Sequence, residues 1–164
     1  MRKLAIFFGI LMLALPVSAQ TVSWYGAADV SMPLGDFGDV AGFGFGGALG
    51  ASYPWSEQVN LRAQAGYNYY SEEITGISFA SIPVMALAEY HWDAAVPAYM
   101  LAGAGITVMR TSMTILGIDV DDSSSEFGFG FGAGWSVNEQ ISLEGMYNLI
   151  SDANHLSFQV TYGF

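Results

Sequence analysis

Hydrophobic and polar residues alternate with a period of two along most of the chain. From Val59 to Tyr69 the odd positions are apolar or aromatic, and the even positions are polar or glycine. Because successive side chains of a β-strand point to opposite faces, this period predicts a strand and excludes an amphipathic helix. The same pattern recurs over residues 22–32, 43–53, 127–135, 141–149 and 155–164. The alternation therefore predicts six strands.

Two further strands have less regular patterns. Residues 77–90 change phase near Ser81, which indicates a β-bulge, and residues 96–110 are small and apolar on both faces. A tilted membrane-spanning strand needs about 9–11 residues, which all eight segments provide. The predicted fold is an all-β, eight-stranded antiparallel up-and-down transmembrane β-barrel. The alternative, a soluble β-sandwich or lipocalin-like barrel, would bury the apolar face and expose a glycine-rich polar one.

The first 19 residues have the order of a secretory signal peptide. Arg2 and Lys3 precede an apolar stretch from Leu4 to Leu15, and residues 17–19 form a small-residue cleavage site. A transmembrane helix is the alternative, but this stretch is shorter than the ~20 residues that cross a bilayer. We therefore expect a signal peptide at residues 1–19 and an outer-membrane β-barrel domain at residues 20–164.

The composition of the remaining segment excludes several classes of protein. Arg62 and Arg110 are its only arginines and it has no lysine, against 15 acidic residues. Nucleic acid is not an expected partner, because phosphate backbones are bound by clustered lysine and arginine. A soluble surface of this size would rarely lack lysine. The absence of cysteine excludes disulfides and thiolate metal sites.

Aromatic residues are expected in two belts, as is typical of the rims of membrane barrels. All four tryptophans fall near strand ends or turns on the side predicted to face the periplasm. This periplasmic aromatic belt would contain Trp24, Trp55, Trp92 and Trp135. The outer rim would contain Phe37, Phe43, Tyr67, Tyr69, Tyr70, Phe79, Phe127 and Tyr147.

The last ten residues carry a resemblance to the OmpA/OmpX-type family of small outer-membrane barrel domains. Apolar residues occupy every second position up to a terminal aromatic residue, namely Leu156, Phe158, Val160, Tyr162 and Phe164. This ending resembles the C-terminal assembly signal of the family. The resemblance covers the whole segment after the signal peptide. It implies recognition by the barrel-assembly machinery, contact with outer-membrane lipids and lipopolysaccharide, and location in the outer membrane of a Gram-negative-type bacterium.

Arg62 and Glu144 are predicted to form an ion pair across the lumen. Both lie on polar faces, early in the third and seventh strands, which stand opposite each other in an eight-stranded barrel. Glu89 would be a third member if the phase change of the fourth strand brings it inward. An unpaired charge in a low-dielectric lumen would cost several kcal/mol, so partners are expected. We interpret this network as a structural plug, with a pore gated by the same pair as the alternative.

Two motifs suggest chemistry but have a better structural explanation. Gly42, Gly44 and Gly47 match the letters G-x-G-x-x-G, yet a dinucleotide fingerprint requires a following helix. The glycines expected instead to face a narrow lumen and make room there are Gly42, Gly44, Gly46, Gly50, Gly128, Gly130, Gly132 and Gly134. His155 and Ser157 resemble the His-x-Ser pair of small outer-membrane lipid A deacylases. No carboxylate follows them, however, and both face the lumen, where a lipid substrate could not enter.

Residues 119–126 concentrate acidic side chains in what is predicted to be the longest outer loop. They lack the glycine and ligand spacing of an EF-hand loop, so no metal site is expected. They would belong to an acidic outer rim that associates with divalent cations among lipopolysaccharide phosphates. This rim would contain Asp36, Asp39, Glu72, Glu73, Asp119, Asp121, Asp122 and Asp152. A high-salt habitat would explain the same acidity.

The expected function is that of a small integral outer-membrane protein of structural or accessory role with a side-chain-filled lumen. No enzymatic activity and no cofactor are expected. One alternative is a surface adhesin or opacity-type binding protein that acts through its outer loops, although residues 71–76 and 151–154 form very short ones. The other is a narrow, porin-like channel.

Overall fold

The computed structural model describes residues 22–72, 77–93, 95–115, 118–151 and 153–164. Within these ranges, eight antiparallel strands follow each other around a closed barrel, and the first strand pairs with the last. The predicted fold class is confirmed. The strands are β1 (Ser23–Pro33), β2 (Ala41–Pro54), β3 (Val59–Glu72), β4 (Ile77–Tyr90), β5 (Ala98–Ile115), β6 (Ile118–Ser136), β7 (Ile141–Ile150) and β8 (His155–Gly163).

A single turn of 3-10 helix, Gly35–Phe37, lies between β1 and β2. No helix in the described ranges is both long and apolar enough to span a bilayer. The signal peptide predicted at residues 1–19 lies outside the described residues, as do Glu73 and Asp152 of the predicted acidic rim.

The register of the strands separates a polar inner face from an apolar outer face. In the β1–β8 pair, Asp29 stands opposite Gln159 and Ser31 opposite Ser157, all on the inner face. The outer face instead carries large exposed side chains on every wall, such as Leu49, which is 68% exposed, and Phe127, which is 60% exposed. A slip of one residue would exchange the two faces, so this contrast fixes the register. The arrangement suits a barrel whose outer face contacts lipid.

Strand β4 differs from its prediction at Ser81. The pairing register between β4 and β3 is the same on both sides of Ser81, so the prediction of a bulge there was wrong. Met85 and Leu87, both apolar, occupy inward positions of β4 and are buried inside the barrel. The lumen accepts an apolar layer, so polarity alone does not show which way β4 faces. The irregularity that does occur lies in β2, between Ala41 and Gly44.

Strands β5 and β6 form a long hairpin, whose β6 side extends beyond β7 while its β5 side stays paired with β4 as far as Met113. β6 pairs with β7 only from Gly128 onward, but it pairs with β5 as far as Ile118, which stands opposite Ile115. Residues 119–126, predicted as a loop, are therefore part of a strand. The prediction was wrong because aspartate is depleted in strands. Here the backbone pairing with β5 outweighs that local preference.

Inward-facing glycines make room for tyrosine rings from the neighbouring strand. A Cβ atom at Gly50 would collide with the ring of Tyr25, which stands directly opposite in the register. A Cβ at Gly134 would collide in the same way with the ring of Tyr99. The expected role of the glycine-rich segments, to make space in a narrow lumen, is confirmed at these positions.

The substitution Gly134→Ala is expected to lower the free energy of unfolding by about 1–3 kcal/mol, as overpacking in a core does. Tyr99 cannot swing aside without losing the hydrogen bond that its hydroxyl donates to Glu144, at 2.7 Å. Gly145→Ala is the matched control, because a Cβ there faces outward and comes no closer than 3.7 Å to the Phe158 ring. Urea unfolding of the barrel in detergent micelles measures both variants. Equal stabilities would contradict this account of the glycines.

Candidate functional site

The lumen is the candidate site, because the polar and charged side chains of the barrel converge there. We call the end that carries the C-terminus and the four tryptophans the lower end, and the opposite end the upper end. From the lower end upward, the lumen contains a charged network, an apolar layer, a small polar chamber and an apolar plug. Each layer receives side chains from several strands.

Arg62 of β3 is the centre of the charged network. Its Nη1 donates to Glu144 Oε1 at 2.6 Å and its Nη2 to Glu144 Oε2 at 3.3 Å, a two-pronged contact with β7 on the opposite wall. The same Nη1 lies 3.1 Å from Glu89 Oε2 on β4. The structure thus brings together the three residues that sequence analysis proposed for the lumen. Glu89 reaches the network without the phase change on which its prediction depended.

Two tyrosines extend the network, and sequence analysis missed both. Arg62 Nε donates to the Tyr25 hydroxyl at 3.2 Å, and the guanidinium carbon lies 4.4 Å from the centre of the Tyr25 ring. Tyr99 donates its hydroxyl proton to Glu144 Oε1. The signal that could have identified them is the glycine opposite each tyrosine, since that pairing leaves space for a ring that turns inward.

Glu89 has further partners at the lower mouth. Asn60 Nδ2 donates to Glu89 Oε1 at 2.6 Å, and His91 Nε2 lies 2.7 Å from the same oxygen. The side chains of Arg62 and Glu144 are only 4% and 1% exposed, so the pair is buried. Truncating one partner of such a pair leaves a buried unpaired charge, which typically costs about 3–5 kcal/mol. The network therefore ties opposite walls of the barrel together.

Two apolar clusters lie above the network. The lower one, the apolar layer, contains Met85, Leu87, Tyr99, Leu101 and Met146. The upper one, the apolar plug, contains Phe37, Ala41, Tyr70, Met109, Ile150 and Ala153. The Phe37 ring packs edge-on against Tyr70, with ring centres 5.1 Å apart.

Phe37 and Tyr70 were expected in the outer aromatic rim, and the structure corrects this. Both side chains are buried. Tyr70 occupies an inward position of β3, in phase with Arg62. Phe37 is turned into the barrel by the 3-10 turn that begins at Gly35, whose φ of 59° lies in the left-handed region that favours glycine.

A polar chamber of about 30 Å³ lies between the two apolar clusters. Asp29 of β1 and both His155 and Ser157 of β8 contribute to its lining, which also includes Gln64, Asn68, Ser81, Thr107, Asn148 and Gln159. Asp29 was missed as a candidate because it lies on the first strand, far in sequence from the last one. The structure therefore supplies the carboxylate that the His155–Ser157 motif lacks in sequence.

The contacts of these residues do not form a catalytic triad. His155 Nδ1 lies 3.0 Å from the Ala153 carbonyl oxygen, and Ser157 Oγ accepts a hydrogen bond from Asn148 at 3.0 Å. Among the described residues, no hydrogen bond joins the His155 ring to a serine, as a nucleophile and its base would require. The described residues also contain no group of three or more His, Asp or Glu side chains arranged to hold a metal ion.

The tryptophans and Phe164, which follows the last strand, lie at the lower end with exposed side chains. Trp24, Trp55, Trp92 and Trp135 are all exposed. Phe164 is 71% exposed, and its backbone N–H donates to the Trp24 carbonyl oxygen at 3.0 Å. Phe158, Val160 and Tyr162 are likewise exposed, and Leu156 is half-buried.

Comparisons with known proteins agree with this architecture. A family model described as "Outer membrane protein beta-barrel domain" matches residues 5–164. No curated protein sequence matches the chain. Among solved structures, Neisserial surface protein A (NspA) is 21% identical, with a TM-score of 0.60, and the match covers 88% of this chain and 99% of that one.

Two further solved structures show the same fold at lower identity. The N-terminal β-barrel domain of Pseudomonas aeruginosa OprF is 12% identical, with a TM-score of 0.65 and coverage of 88% of this chain and 99% of that one. Ail, the attachment invasion locus protein of Yersinia pestis, is 14% identical, with a TM-score of 0.61 and coverage of 88% and 97%. At these identities the likeness establishes the fold alone.

Proposed function

Because the chain belongs to the outer membrane protein beta-barrel domain family, it is a small outer-membrane β-barrel protein, and we propose that its role is structural. The observation that carries this proposal is the filled lumen. The Arg62–Glu144 pair spans the barrel from β3 to β7, and apolar clusters lie above it at two levels. Ions and solutes have no continuous polar path through such a lumen.

The chemistry of the lumen also supports a protein without a catalytic cycle. Asp29, His155 and Ser157 lie beneath the apolar plug, where a lipid cannot reach them. Nucleophilic catalysis requires a substrate beside the nucleophile and a base in hydrogen-bond contact with it. The apolar plug closes off access to Ser157, and in the described part of the chain His155 makes no hydrogen bond to a serine. We therefore propose that the protein is not an enzyme and uses no cofactor.

Export, orientation and assembly belong to the same proposal. Residues 1–19 would direct export and be removed, and the tryptophans of the lower end would form the periplasmic aromatic belt. The outward-facing side chains of β8 and Phe164 would be recognised by the barrel-assembly machinery. Their exposure in the folded barrel means that they are available to a partner before lipid covers them.

The outer face and the upper rim indicate the lipids that the protein would contact. The exposed aromatic and aliphatic side chains would face the acyl chains of outer-membrane lipids. Asp36, Asp39, Asp121 and Asp122 are exposed at the upper end, where divalent cations could bridge them to lipopolysaccharide phosphates. These contacts would hold the barrel at a defined depth.

Planar-bilayer recording tests the proposal of a sealed lumen. We expect no conductance steps from the native barrel, nor from Arg62→Ala or Phe37→Ala, because each substitution leaves at least one apolar cluster in place. An open porin in the same bilayers is the control for detection. Regular steps from the native protein would contradict the proposal. Steps that change with Arg62→Ala would instead support the gated channel.

One observation favours a second function, that of a surface-binding protein. In the β5–β6 hairpin, residues 118–127 of β6 pair with β5 but not with β7. Exposed strand edges of this kind can pair with an extended segment of another protein. Ail has been solved with the heparin analogue sucrose octasulfate. The hairpin here carries exposed Asp121 and Asp122, which would repel such a polyanion.

A shortened hairpin separates the two functions. Replacing residues 111–122 by Asn-Gly would join Arg110 to Ser123, which already stand opposite each other, through a two-residue turn. A structural role predicts that cells producing this variant adhere to host cells and abiotic surfaces as the native strain does. Loss of adherence, with unchanged amounts of folded barrel, would instead favour the surface-binding function.

A further inference from the structure

The polar chamber contains an uncompensated carboxylate. Asp29 is 4% exposed, and its Oδ2 accepts a hydrogen bond from Ser31 Oγ at 2.7 Å. Its other oxygen, Oδ1, is buried and has no hydrogen-bond donor, although the Gln159 side chain lies beside it across the β1–β8 pair. The Gln159 Oε1 atom is also buried and without a donor.

Each of these two oxygens can accept a hydrogen bond or coordinate a cation. Buried charges in proteins are either paired or coordinate a metal ion. The described residues give Asp29 no ion pair. Arg62, whose side chain is buried in the lumen, is engaged with its own carboxylates below the apolar layer. The His155 ring lines the same chamber, but its Nδ1 is directed to the Ala153 carbonyl oxygen.

The chamber has the size and the ligand chemistry for one small cation. Its volume of about 30 Å³ is close to the ~30 Å³ that a single water molecule occupies in the liquid. Its polar lining is dominated by carboxylate, amide and hydroxyl oxygens, which are hard ligands suited to hard cations. A single carboxylate balances one positive charge, so a monovalent ion fits and a divalent ion would leave excess charge.

We propose that the polar chamber binds one sodium ion, which bridges the Asp29 carboxylate of β1 and the Gln159 amide oxygen of β8. These two strands form the seam at which the barrel closes. A bound ion would link the side chains of the first and last strands inside the lumen. This link would add to the backbone hydrogen bonds that already join the two strands. Sodium binding would therefore stabilise the closed barrel over the open or unfolded chain.

The test compares the thermal unfolding of the detergent-folded barrel in sodium chloride and in choline chloride. Both salts are used at about 0.3 M, where surface charges are largely screened, and at about pH 8.5, above the ordinary range of histidine titration. The midpoint of the heat-dependent gel shift is expected to be several degrees higher in sodium. It should rise further with sodium concentration at fixed ionic strength, as for any ligand of the folded state.

Three variants assign the effect to the chamber. Asp29→Asn and Gln159→Met each remove a proposed ligand and are expected to abolish the difference between the two salts. Asp121→Asn makes the same chemical change at an exposed position, and this variant should retain the difference between the two salts. If Asp29→Asn fails to fold, Gln159→Met still decides the question.

Two outcomes would overturn the proposal. Equal midpoints of the native barrel in sodium and choline would mean that the chamber holds water only. If the sodium effect survives both chamber substitutions, or if Asp121→Asn removes it, the sodium ion binds at the surface and not in the chamber. Because conductance is not measured, failure of the sodium site leaves the proposed structural function unaffected.

Discussion

The buried guanidinium of Arg62 is the constraint on which the inside of this barrel depends. Its side chain is only 4% exposed, and a charge cannot remain unpaired in such surroundings. Glu144 and Glu89 reach it from β7 and β4, while Tyr25 lies against its face. Their geometry requires small residues nearby, which explains Gly50 and Gly134 opposite the two tyrosines. Charge pairing, ring packing and glycine placement are thus parts of one arrangement.

This arrangement explains why the barrel suits a structural role. An eight-stranded barrel is just wide enough for side chains to fill it, and here charged, apolar and polar layers do so in turn. The outer surface is free to be apolar because the strands direct their charged and polar side chains into the lumen. The asymmetry of the upper end, where β6 extends beyond β7, leaves a strand edge for contacts that do not disturb the lumen.

The alternating sequence predicted the strands, their faces and the meeting of Arg62 with Glu144, because a period of two and the strand order determine which residues face each other. Other features depend on three-dimensional packing. Phe37 lies inside because of one backbone turn at Gly35, and residues 119–126 form a strand because β5 offers them backbone partners. Met85 and Leu87 face inward because the lumen tolerates an apolar layer, which hydropathy cannot distinguish from a lipid-facing wall. Asp29 joins β8 residues only because the barrel closes.

A double-mutant cycle on Arg62 and Glu144 tests the central claim most directly. The free energies of unfolding in urea are compared for the native barrel, Arg62→Met, Glu144→Gln and the double variant. If the pair joins opposite walls, each single substitution leaves a buried group without its partner, and the double variant is less destabilised than the two single effects together. We expect a coupling free energy of about 1–3 kcal/mol. Additive effects, with coupling near zero, would contradict the account.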